Sequence, residues 1–177
     1  MPKLTSISVK LSVPFLGEIT GTWEPDQQER AASWELYVEL VTRVSVVELG
    51  PAEGLLREAL SSLYSLFETT RQILRKYGPE VAQPKGQSDL SFGYLAVALL
   101  NLVLRPTLAK WHPLLSEYES LRASAISTTE HEQDWSKNSE LREDINKTRL
   151  MLMHYSNLLA EVAQVPSLII LPPKDQA

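Results

Sequence analysis

The sequence predicts a mainly α-helical protein: a bundle of four main helices, an N-terminal β-hairpin and a possible short C-terminal strand. Three observations carry that expectation. The first dozen residues alternate apolar and polar with the period of a strand. From residue 26 onward the apolar residues recur at three- and four-residue spacing, the period of a helix. At 177 residues, 44% of them hydrophobic and 22% charged, the chain suits one folded domain and not a disordered one. It divides into a hairpin (1–24), a helical bundle (26–165) and a tail (166–177).

In the hairpin, Ile7, Val9, Leu11 and Val13 share one face, and Ser6, Ser8, Lys10 and Ser12 the other. Pro14-Phe15-Leu16-Gly17 supplies a turn, and Ile19, Gly21 and Trp23 continue the apolar face on the return strand. Asp26 with Glu29 three residues on is a capping box that opens the first helix, whose stripe is Tyr37, Leu40, Val41, Val44 and Val47. Gly50-Pro51 ends that segment. The second helix has Leu56, Leu60, Leu63, Phe67 and Leu74 on one side and Glu58, Ser61, Ser65, Glu68, Gln72 and Lys76 on the other. Gly78-Pro79 stops it.

The third helix starts at Ser88 or Asp89 and is apolar nearly all round, so it should be the innermost. Pro106 and Pro113 each remove a backbone donor, which predicts a kink or break at one or both. Asn101 is a lone polar residue in this helix, suited to a buried hydrogen bond or a packing register. Thr129 and Glu132 have capping-box spacing ahead of a last helix built on Leu141, Ile145, Leu152, Tyr155 and Leu159. Pro166 and Pro172 fence an apolar segment, Leu168, Ile169, Ile170 and Leu171, able to add a strand to the hairpin or to dock on a partner.

Composition narrows the function. The formal net charge of -5 disfavours general phosphate-backbone binding, which needs Lys and Arg in excess. With no cysteine there is no disulfide, no zinc-thiolate site and no thiol nucleophile. The N-terminus lacks the basic and apolar blocks of a signal peptide, and the apolar run Leu90 to Leu104 is shorter than the ~18–20 residues of a membrane span. The expected setting is the cytoplasm of a microbe. No glycine-rich phosphate loop or nucleophile elbow is present, so no cofactor is expected. His131 with Glu130, Glu132 and Asp134 has metal-donor types, but acidic residues at a helix start are expected from the dipole alone, and no metal site is assigned.

One short pattern bears on catalysis. Arg149-Leu150-Met151-Leu152-Met153-His154 is an arginine, four residues and a histidine. It resembles the motif of the HEPN ribonucleases, small helical bundles that are commonly dimeric and often toxins or antiviral effectors. The resemblance implies a metal-independent ribonuclease in which Arg149 stabilises the scissile phosphate and His154 transfers protons beside a 2′-hydroxyl. On an ideal helix the two residues stand about 140° apart. The other reading is a non-enzymatic protein-interaction or assembly subunit, an adaptor in a bacterial defence or regulatory complex. It would bind a protein partner or a second copy through Ile7, Val9, Leu11, Leu168, Ile169, Ile170 and Leu171. Nucleic acid enters only under the ribonuclease reading, and a membrane under neither.

Overall fold

A computed structural model describes residues 6–14, 17–43 and 48–169. The alternating segment forms β1 (Ile7–Val13), antiparallel to β2 (Gly17–Trp23), with Ile7 opposite Trp23 and Val13 opposite Gly17. The odd-numbered side chains of β1 are buried and the even-numbered ones exposed. Alternate pairs of an antiparallel ladder turn their backbone groups outward. Here the even pairs do so: His154 Nε2 bonds the Lys10 carbonyl at 3.0 Å, and the Ser88 hydroxyl donates to the Thr22 carbonyl.

Helix α1 (Gln27–Val41) opens with the capping box that the sequence predicts: Glu29 N donates to Asp26 Oδ1 at 2.9 Å, and Asp26 N to Glu29 Oε2 at 3.1 Å. Val44 and Val47 lie outside the described residues. Helix α2 (Leu56–Tyr77) ends at Gly78, whose φ of 75° suits glycine. A single 3-10 turn, Pro79–Ala82, follows.

Helix α3 spans Phe92–Ser120 and departs from expectation in three ways. It begins after Ser91, whose hydroxyl accepts from Tyr94 N, and not at Ser88 or Asp89. Neither proline ends it. Between Leu99 and Leu104 the helix widens to a π-helix, so that Arg105 N bonds Leu100 O and the chain passes Pro106 without its missing donor. Pro113 and Ala109, whose carbonyl loses a partner there, both lie on the exposed side. Third, α3 is not enclosed on every side: Tyr94 is 48% and Val97 43% exposed. The helix continues beyond the apolar run Leu90 to Leu104, as far as Ser120. By length and composition it is the one described helix able to cross a membrane, and 56% of its most apolar window is buried inside the fold. A core helix passes the same test.

Helix α4 (Thr128–Gln133) is capped by Ser127, which accepts from Glu130 N, in place of the expected Thr129–Glu132 box. Helix α5 (Asn138–Ala163) stops at Gln164, in the left-handed conformation. Arg30 of α1 donates to Val162 O, placing a cation at the carbonyl end of α5. The four long helices pack as a bundle: α1 lies against α2 and α5, and α3 closes the other side. Trp23, Tyr37, Phe92 and Trp111 are fully enclosed between them. The described part of the tail, residues 166–169, does not extend the sheet, which among the described residues has two strands. Ser167 to Ile169 instead cross α1, where Leu168 N donates to the Tyr37 hydroxyl.

Two buried glutamates join these elements. Glu29 Oε1 accepts from Trp23 Nε1 at 3.1 Å and Phe92 N at 2.9 Å, and Oε2 from Lys85 Nζ at 3.1 Å. One carboxylate thus ties hairpin, α1, the 83–91 loop and the start of α3. Helix α2 has no side-chain cap of its own; Glu132 of α4 supplies it, accepting from Leu56 N at 2.9 Å and Arg57 N at 3.3 Å.

Candidate functional site

The outward face of α3 is a trough. Tyr94, Val97, Ala98, Asn101 and Leu102 recur at helical spacing, so they share one side. With Ala82, Pro84, Asp89 and Gly93 they line a depression of about 630 Å³. It adjoins a second of about 470 Å³, lined by Leu74, Arg75, Gly78 and Pro79. Ala82, Gly93 and Val97 belong to both, so the two form one surface.

Local sequence explains its shape. A Cβ on Gly93 would stand 2.8 Å from Ala82 Cβ and 2.9 Å from Ala82 Cα. Only glycine lets the Pro79–Ala82 turn approach α3 this closely, and that approach forms the trough's floor. The 83–91 rim is held by Lys85, which donates to Asp26 Oδ2 at 2.6 Å as well as to Glu29. The surface is therefore built in advance of any occupant. An apolar patch with a polar rim is the usual mark of a docking surface.

Asn101 is exposed at the trough's end, against the expectation of a buried residue; its Oδ1 accepts from Arg105 Nε at 3.1 Å and Nη2 at 2.9 Å. Tyr94, Asn101 and Arg105 fall on one line of the helix, and that line was the signal in the sequence that α3 has an open face.

Arg149 and His154 are not brought together within the chain. Arg149 is buried, donating to Asn146 Oδ1 at 2.8 Å and Met153 Sδ at 3.0 Å, with Glu48 Oε2 at 3.9 Å. His154 is exposed and turned to β1, on the Lys10 carbonyl. Each is engaged by a different neighbour.

The side chains of Ile7, Val9 and Leu11 are buried under the hairpin, so the outer surface of β1 is Ser8, Lys10 and Ser12. Leu168 is 47% exposed and Ile169 half-buried; Ile170 and Leu171 lie outside the described residues. His131 stacks on Tyr118 with ring centroids 4.1 Å apart, and its Nε2 bonds Tyr118 O. Glu132 is committed to α2, and no cluster able to hold a metal occurs among the described residues.

Two further features were not anticipated from sequence. Arg57 grips α3 through Glu119 (Nη2 to Oε2 2.8 Å), Ser116 (3.1 Å) and His112 Nδ1 (2.8 Å). Burial, with the Arg57 guanidinium beside it, holds His112 below the ordinary histidine range, so it stays neutral and accepts from Arg57. This clamp joins α2 to α3 and presents no free nucleophile. Beneath the hairpin, Tyr155 is buried with no hydroxyl partner among the described residues, beside a cavity of about 20 Å³ lined by Leu11, Leu95, Leu99, Val103 and Met151. That volume holds about one water. Compared with known protein families, curated proteins and solved structures, the chain has no match.

Proposed function

We propose that this chain is a non-enzymatic protein-interaction subunit that docks on other protein through the trough along α3. The observation that supports the reading most is the pair Tyr94 and Val97, large apolar side chains turned outward over a preformed floor. Leaving them in water forgoes roughly 25 cal/mol per Å² of apolar surface, which a docked partner recovers. The rigid rim at Lys85 and the close packing at Gly93 lower the cost of ordering the site on binding.

Val97→Glu tests it. The position is exposed, so the change should move stability by no more than about 0.5 kcal/mol. Tagged wild-type and variant chains are recovered from native cells, and protein and nucleic acid in each eluate are quantified. Wild type is expected to retain a stoichiometric protein partner, a second copy included, and Val97→Glu to lose it at least ~10-fold. Equal recovery with both chains, or RNA without protein, would overturn the reading.

A further inference from the structure

The two halves of the trough carry opposite charge. The half that reaches Leu74, Gly78 and Pro79 has one charged lining residue, Arg75. The half that reaches Pro84, Tyr94 and Leu102 also has one, Asp89. Neither makes a hydrogen bond or ion pair among the described residues. Arg75's described electrostatic effect is a small pull on Glu68, two turns upstream on α2, whose carboxyl Arg71 mainly holds down. Of the other charges nearby, Lys85 is committed to Asp26 and Glu29 and Arg105 to Asn101, while the Glu80 carboxylate, which lines neither half, stands beside Gly78. Ala82, Gly93 and Val97, which line both halves, mark the boundary between them.

An apolar surface with an unpaired cation on one side of a midline and an unpaired anion on the other is complementary to itself after a half-turn. That is the condition for an isologous contact. We propose that the trough is closed by a second copy of this chain, with a two-fold axis near Val97 and each Arg75 against Asp89 of the partner subunit. The proposal rests on reading the trough as a docking surface and names what docks there. Unrelated apolar segments would cover Tyr94 and Val97 equally well, but each would have to bring its own acid and base in the matching order. A lipid chain would leave Asp89 facing hydrocarbon. A second copy supplies both charges from the same two residues.

The roles divide by physics. Exposed ion pairs contribute little affinity and mainly fix orientation, so the apolar centre should carry the strength and the charges the register. In a two-fold contact each single reversal places two like-charged pairs in the interface, whereas reversing both residues rebuilds two attractive pairs.

The experiment is sedimentation velocity on the full chain over a concentration series reaching about 1 mM, the weak end of specific association. Wild type is expected to shift from monomer to dimer. Val97→Glu should raise the dissociation constant at least ~10-fold, and Arg75→Glu or Asp89→Arg alone about 3- to 10-fold, a swing within the range of rim charge pairs. Arg75→Glu combined with Asp89→Arg should return to within about threefold of wild type. A wild-type chain that stays monomeric throughout would overturn the proposal, as would a double variant no stronger than the singles. A monomer that still takes up a different protein in a Val97-dependent way would refute the second copy and leave the docking role standing. Capture and self-association both indifferent to Val97→Glu would remove the docking role itself.

Discussion

Glu29→Ala is expected to lower the unfolding free energy by about 3–5 kcal/mol, the usual consequence of removing one partner from a buried charged network. Glu29 is fully enclosed. Its two oxygens receive the Trp23 indole, the Phe92 and Asp26 amides and the Lys85 ammonium. Alanine leaves the Trp23, Phe92 and Asp26 donors without their acceptor at the junction of hairpin, α1 and α3, strips one of the partners of Lys85, and opens a void beside Trp23. The domain's total stability is about 5–15 kcal/mol, so the variant should melt well below wild type by circular dichroism. Glu29→Gln keeps the shape but offers one acceptor oxygen, and should fall between the two. A Glu29→Ala chain melting within a degree or two of wild type would refute the hub.

Glu132→Ala should cost about 2–4 kcal/mol, by leaving the Leu56 and Arg57 amides unsatisfied at a helix end that has no cap of its own. The effect should be local first. Amide hydrogen exchange at Leu56, Arg57 and the next turn of α2 should accelerate before exchange in α5 changes. Uniform acceleration across the bundle, or none, would show that α2 does not depend on this carboxylate. The same residue explains why the acidic residues around His131 do not converge on it: Glu132 points inward to α2, and His131 stacks on Tyr118.

What the sequence made legible was whatever depends on local periodicity. The β1 alternation, the Asp26–Glu29 box, the α2 stripe and its stop at Gly78 all appear where their patterns place them. The misreadings arise where a remote residue decides. Ser91 and Ser127 cap helices whose starts had other candidates nearby; Glu29 of α1 reinforces the start of α3, and Glu132 of α4 supplies the cap that α2 lacks. Pro106 looks like a breaker because a sequence does not reveal that the preceding turn will widen to i→i+5 bonding. The trough was hidden for a similar reason. An apolar helix indicates burial, and although Tyr94, Asn101 and Arg105 mark its open side, it is the packing of Pro79–Ala82 against Gly93 that shapes the trough there. The alternation in β1 suggests a contact element through Ile7, Val9 and Leu11, but the fold itself buries those side chains. Arg149 and His154 matched a spacing along the chain, while their neighbours across the fold differ.

The docking role of α3 is tested most directly by placing a photo-activated crosslinking side chain at Val97 and, in a second chain, at Ser61 on the exposed side of α2. Both full-length chains are expressed and irradiated in native cells. A discrete protein adduct at position 97 and none at 61 is the expected result. Equal labelling at the two positions, or no adduct at 97, would contradict it.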